Sequence, residues 1–222
     1  MTQRILLPAI AVCAIITIIA DIRDMKRLRM IVKPLTTALI IALAAWPLAG
    51  NPALYAVLIA AGLVLSLGGD IALLSRAETA FIIGLVLFLC AHVLYTIAFI
   101  SISPFVPADA VTALVLLIVI TIVYRILWPG LGAMKVPVLA YAIIISFMLL
   151  RAISTVYGGR VSFTPALLIA LGSLLFFASD MILAVNRFRR NNAPDGLPVL
   201  STYFAGQTLI ALSLSYMAFL PA

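Results

Sequence analysis

The sequence predicts an all-α, polytopic membrane protein with eight transmembrane helices. Its composition is 66% hydrophobic and only 9% charged, with a mean hydropathy of +1.30. Ordinary soluble chains carry about 25% charged residues, so this one has too few charges to build a water-facing surface. The apolar residues also fall into runs of about 20, the length that crosses a hydrocarbon core as a helix. The runs do not alternate, and only helices or closed barrels satisfy every backbone polar group in lipid. The 222 residues are therefore read as a single integral membrane domain with short connections.

The spans are expected at 5–20, 34–50, 53–74, 80–100, 110–128, 136–157, 164–187 and 199–220. The first apolar run follows Arg4 as a signal peptide would, but the basic stretch Arg23-Asp-Met-Lys26-Arg27-Leu-Arg29 behind it fits a retained helix. Lys33-Pro34 is expected to open span 2, with proline in the first turn where its missing N–H costs nothing. Asn51-Pro52 turns the chain into span 3, and Pro104 with Pro107 marks the loop after span 4. Pro129-Gly130 closes span 5, Gly158-Gly159 closes span 6, and Asn191 to Gly196 is the longest polar loop before span 8.

Eleven of the 14 Lys and Arg residues fall in connections on one side, with Arg4, Arg151 and Arg160 on the other. The positive-inside rule makes the first side cytoplasmic and puts both termini on the far side of an inner or plasma membrane. In this setting the net charge of +7 reads as topology signal and lipid-headgroup contact. No nucleic-acid partner is expected, because no basic stripe is interleaved with aromatics. Cys13 and Cys90 lie inside apolar runs and read as small buried hydrophobes. With one histidine in the chain, a His-rich zinc site cannot be assembled, and neither metal nor cofactor is expected.

A repeat is visible between spans 3 and 7. Gly62 and Asp70 are eight residues apart, as are Gly172 and Asp180, and a leucine follows each aspartate by three. Lys33-Pro34 is echoed by Lys135-Val-Pro137. A parallel 4+4 duplication explains these echoes, and coincidence among apolar helices explains them as well.

An ionisable residue inside a span costs about 2.5–3.5 kcal/mol on insertion scales, so Asp70, His92 and Asp180 call for a reason. Counting residues from the span ends puts both aspartates about 6–10 Å below the cytoplasmic boundary. Lys33, Tyr141, Tyr203 and Gln207 fall in the same layer, with His92 and Tyr95 somewhat deeper. Six helices thus contribute polar groups to one half of the membrane. Taken singly, each has a plain structural reading, as interhelical hydrogen bond or snorkelling cation. Arg151 reads as a snorkelling residue, and Asp109 as an ordinary loop residue. On these residues alone, an enzyme and a proton-coupled transporter are equally good readings, with a non-enzymatic lipid-binding protein as a third.

Six motifs, in order, then bear a resemblance. They are Lys33-Pro34-Leu35, Ser66-Leu-Gly-Gly-Asp70-Ile-Ala-Leu73, and Gly84-Leu-Val-Leu-Phe88-Leu-Cys-Ala-His92-Val-Leu-Tyr95. Next come Tyr141 with Arg151, then Gly172-Ser-Leu-Leu-Phe176-Phe-Ala-Ser179-Asp180-Met-Ile-Leu183-Ala-Val-Asn186, and finally Tyr203-Phe-Ala-Gly-Gln207. Over nearly the whole chain the sequence resembles the YhhN-like membrane proteins, whose animal members are lysoplasmalogenases.

That resemblance implies an eight-helix lysoplasmalogenase-like ether hydrolase, cleaving the vinyl ether of a lysophospholipid to a fatty aldehyde and a glycerophospho-alcohol. Acid cleavage of a vinyl ether protonates the outer alkene carbon, and water adds to the resulting oxocarbenium ion. Such chemistry asks for one acid and one group that stabilises the cation and activates water. Asp70 and Asp180 are expected to be that catalytic pair, with His92 and Tyr95 orienting a carboxylate or the water. Lys33, Tyr95, Tyr141, Asn186, Tyr203 and Gln207 are expected to contact the substrate, Lys33 at its phosphate. Membrane lipid is the expected partner, and the oligomeric state leaves no trace in the sequence.

Overall fold

The computed structural model describes residues 2–48, 53–75, 77–190 and 196–217. Within them the chain folds into eight helices: α1 (Thr2–Ile22), α2 (Lys26–Leu48), α3 (Leu54–Ala72), α4 (Glu78–Ile102), α5 (Asp109–Leu127), α6 (Lys135–Tyr157), α7 (Phe163–Phe188) and α8 (Gly196–Ser213). All eight are long and apolar enough to span a bilayer, and the protein is an all-α integral membrane protein. The Asn51-Pro52 turn, Arg76, loop residues 191–195 and the stretch expected to end span 8 beyond 217 lie outside the described residues.

Six helices close a ring in the order α2, α3, α4, α6, α7, α8, with α8 packing back on α2. α1 lies outside against α2 and α8, and α5 lies outside against α6 and α7. Consecutive helices α1 to α4 are neighbours, and so are α5 to α8, a pattern a duplicated four-helix unit would also give. α5 is the least buried span, at 11%, and its outward face of Val111, Leu114, Val115 and Ile118 is left for lipid.

Helix contacts are tightest where glycines remove a Cβ. Without a hydrophobic force between helices in lipid, close van der Waals packing of this kind holds them together. Between α3 and α4, the Tyr95 ring lies over Gly62, the Phe88 ring over Gly69, and Leu73 over Gly84. Between α7 and α8 the approach is backbone to backbone: a Cβ on Gly206 would stand 2.7 Å from the Gly172 carbonyl oxygen, and one on Gly172 2.8 Å from that of Gly206. Backbone cannot swing aside as a side chain can. Gly206→Val is therefore expected to part α7 from α8 and destabilise the protein by about 1–3 kcal/mol, read as a lower melting temperature in detergent.

Several sequence expectations are corrected. Pro34 does not open a helix: α2 begins at Lys26 and Pro34 sits more than two turns inside it. The basic segment before it continues the helix beyond the apolar run, because Asp21 at the end of α1 accepts hydrogen bonds from Arg29 at 2.5 Å and from the Gly196 backbone N–H at 2.8 Å. Arg151 does not snorkel, and Asp109 is not an idle loop residue. Arg151 is wholly buried, with its guanidinium 2.8 Å from Asp109 Oδ2 and donating to the carbonyls of Ser103 at 2.7 Å and Pro104 at 3.0 Å. Asp109 also accepts from Ser154, from Tyr157 at 2.9 Å and from the Val106 N–H at 3.1 Å. This network ties the α4–α5 connection to α6. Finally, the cysteines are not buried hydrophobes: Cys90 faces outward and Cys13 is only half-buried.

Candidate active site

The end of the bundle that carries Lys26, Arg27 and Arg29 holds both intramembrane aspartates. Asp70 sits in the last turn of α3, where Gly69 beside it lets α4 come close. Its Oδ2 accepts hydrogen bonds from Thr37 of α2 at 2.5 Å and from Tyr203 of α8 at 2.6 Å. Its Oδ1 lies 3.6 Å from the Lys33 ammonium. Lys33 and Thr37 are one helical turn apart, so α2 presents both toward the same carboxylate. All three partners are buried.

Asp180 sits two turns before the end of α7 and is dressed differently. Its Oδ2 accepts a hydrogen bond from Tyr141 of α6 at 2.5 Å, and His92 Nε2 of α4 stands 3.6 Å away, beyond hydrogen-bonding distance. The His92 ring is fully buried between Tyr141, with centroids 5.4 Å apart, and Phe176 at 4.6 Å. Each aspartate thus takes a hydroxyl from the helix before it, Thr37 or Tyr141. Each also takes a partner from the last helix of the opposite half, Tyr203 for Asp70 and His92 for Asp180.

Both carboxylates line one small polar cavity together with Lys33, Ser179 and Tyr203. A second, apolar cavity adjoins it among α4, α5, α6 and α7, with Asp180 and Tyr141 at its polar end. They enclose about 300 Å³ and about 660 Å³ respectively, mouths included. Asp180, Leu73, Phe88 and Leu183 line both and form the wall between them. The arrangement offers two acidic groups in distinct settings, one beside an ammonium and two hydroxyls, the other at the threshold of an oily pocket. Among the described residues, no group of three His, Cys, Asp or Glu side chains is placed to hold a metal ion.

The other predicted site residues stand further back. The Tyr95 hydroxyl donates to Gln207 Oε1 at 2.9 Å, both side chains are fully buried, and neither lines a cavity. This bond joins α4 to α8 behind the aspartates. Asn186 is buried in α7 and lines neither cavity. Sequence reading missed Thr37, which is one turn from Lys33 and could have been found by that spacing. It also missed Ser179, which lines the polar cavity and donates to the Val199 carbonyl at 3.0 Å. The wall residues Leu73, Phe88 and Leu183 carry no signal that sets them apart from any other apolar residue.

The model of the YhhN family matches residues 28–214. The chain is 33% identical over 215 residues to the uncharacterized membrane protein YhhN of Escherichia coli O157:H7, covering 92% of this chain and 97% of that protein. It is 35% identical over 155 residues to lysoplasmalogenase TMEM86A of Bos taurus, covering 68% of this chain and 62% of that protein. To lysoplasmalogenase TMEM86B of Homo sapiens it is 35% identical over 165 residues, covering 72% and 64%. The chain thus spans less than two thirds of the length of these two lysoplasmalogenases. No solved structure matches the chain.

Proposed function

The chain belongs to the YhhN family, and from that membership we propose that it is a membrane-embedded ether hydrolase that cleaves the vinyl ether of lysoplasmalogens. The products are a fatty aldehyde and glycerophospho-ethanolamine or glycerophospho-choline. One observation carries the reading: Asp70 and Asp180 face one cavity, and Asp180 alone of the two also faces the apolar cavity beside it.

That asymmetry assigns roles. The alkene carbon to be protonated is the one attached to the hydrocarbon chain, so the acid belongs at the threshold of the apolar cavity. Asp180 delivers its proton to that carbon, and the electron pair of the ether oxygen closes the oxocarbenium ion. Asp70, held by Thr37 and Tyr203 and beside Lys33, accepts a proton from the water that adds to the cation. The hemiacetal then gives its hydroxyl proton to Asp180, the bond to the glycerol oxygen breaks, and Asp70 returns its proton to that oxygen. Both carboxyl groups end as they began. Tyr141 fixes the Asp180 carboxyl by its hydrogen bond, His92 packs beside it, and the Tyr95–Gln207 bond acts one layer out as a positioning contact. On the positive-inside reading the site lies nearer the cytoplasmic face, with both termini on the opposite side.

The test is direct. Detergent-purified protein incubated with a lysoplasmalogen is expected to release free aldehyde. No aldehyde, together with pH-dependent solute flux in liposomes, would instead make the protein a proton-coupled carrier. A second measurement bears on the acid. Tyr141→Phe removes a hydrogen bond to Asp180 and is expected to lower kcat about tenfold, the equivalent of about 1.4 kcal/mol.

A further inference from the structure

The apolar cavity among α4, α5, α6 and α7 has Asp180 at one end and adjoins the polar cavity through a shared wall. We propose that it is the seat of a single unbranched aliphatic chain whose polar head occupies the neighbouring cavity. This rests on the hydrolase reading only for the chemistry at the junction. The pocket itself follows from geometry.

Its lining is apolar except at Asp180 and Tyr141, where the two cavities meet, and at Tyr124, whose hydroxyl donates to the Lys135 carbonyl at 3.1 Å. A ligand that fills both must be polar at one end and hydrocarbon at the other. The pocket follows the last two turns of α7, from Asp180 to Phe188, which is about 12 Å at 1.5 Å per residue. That is a slot for one chain. Its entrance is toward lipid. Although consecutive, α4 and α5 do not pack along their lengths, and pocket residues Leu85 and Val123 stand on either side of that seam. A chain can pass sideways from the bilayer without crossing the basic end of the bundle.

The wall is held in place by backbone. Phe88 of α4 rests on Gly69 of α3, and Leu73 of α3 rests on Gly84 of α4, so each helix supplies a glycine socket for the other's wall residue. This reciprocal seating fixes where the chain ends and the head begins. The bond to be broken then lies beside Asp180. The opposite faces carry the small side chains Ala142 and Ala184, and these leave room for the hydrocarbon.

The experiment uses saturated 1-O-alkyl lysophosphoethanolamines of graded chain length, which lack the alkene and cannot be hydrolysed by this route. Binding is read as ligand-induced stabilisation of the full chain in nanodiscs. At a fixed mole fraction of ligand in the bilayer, affinity is expected to rise with chain length until the pocket is full and then to level off. The rise per methylene is well under the roughly fourfold of transfer from water, because the chain leaves lipid and gains only closer packing. Ala184→Phe and Ala142→Phe are expected to move that plateau to shorter chains. Val115→Phe on the lipid-facing side of α5 is expected to leave it where it is. Should either cavity-filling variant fail to fold, Ala142→Leu and Val123→Phe narrow the same space from two walls.

An unchanged chain-length profile in the filled variants overturns the proposal, whatever the enzyme does. A shifted plateau with no aldehyde released from a lysoplasmalogen by the wild-type protein supports the chain site and removes the vinyl ether chemistry. Aldehyde release whose chain-length dependence ignores both alanines keeps the vinyl ether chemistry but removes the chain site and, with it, the argument that makes Asp180 the acid.

Discussion

Asp180→Asn is expected to lower turnover of a lysoplasmalogen by about 10²–10⁴-fold, the usual contribution of a positioned acid, with the melting temperature nearly unchanged. Asparagine matches aspartate in shape, and its Oδ1 can still accept the Tyr141 hydrogen bond that Asp180 Oδ2 accepts at 2.5 Å. What it cannot do is deliver a proton to carbon. Loss of rate without loss of fold is therefore the expected signature. Asp70→Asn should differ. It removes a carboxylate 3.6 Å from the Lys33 ammonium and so lowers stability together with turnover. Pairing it with Lys33→Met restores some stability but no activity. If Asp180→Asn turns over at the wild-type rate, the acid lies elsewhere and the role assignment falls.

The second large effect lies at the other end of the bundle. Arg151→Ala is expected to destabilise the protein by about 3 kcal/mol, because it removes the only charged partner shown among the described residues for the buried Asp109 and leaves that carboxylate with neutral donors. The guanidinium binds Asp109 at 2.8 Å and Ser154 at 3.2 Å, caps two carbonyls, and lies 4.0 Å from the centre of the Phe105 ring. The double variant Arg151→Met with Asp109→Leu removes both charges together and is expected to recover most of the loss. Arg151 is ten residues beyond Tyr141 on α6, about 15 Å along the axis, so the folded fraction should keep its activity. Chemical or thermal unfolding in one detergent, with turnover per folded molecule, checks both statements. Equal stability of the single and double variants would deny that the charge pair is coupled.

The spans were legible because hydropathy and length are properties of a segment, needing no knowledge of its neighbours. The layer of the site was legible too. Counting residues from the span ends placed Lys33, Asp70, Tyr141, Asp180, Tyr203 and Gln207 at one depth; the structure gathers the first five round the two aspartates and sets Gln207 back against Tyr95. Depth follows from sequence position, but azimuth does not. Whether Tyr95 points at a carboxylate or at Gln207 depends on how α4 is rotated against α3, where the Tyr95 ring lies over Gly62. Arg151 was misread for the same reason. Its partner Asp109 is 42 residues away, on a helix whose first turn sequence reading left in a loop. Pro34 was misread because a proline within a helix and one at its start look alike until tertiary contacts, here the Asp21 cluster, show where the helix begins.

The crosswise dressing of the two aspartates has a consequence for how the protein can be cut. The first four helices contain Asp70 but not the tyrosine that holds it, and the last four contain Asp180 but not its imidazole. A lone quartet would carry an incompletely furnished acid and would gain the missing group only by associating with a second quartet. Separately produced α1–α4 and α5–α8 pieces would therefore have to reassociate before either acid regained its full set of neighbours.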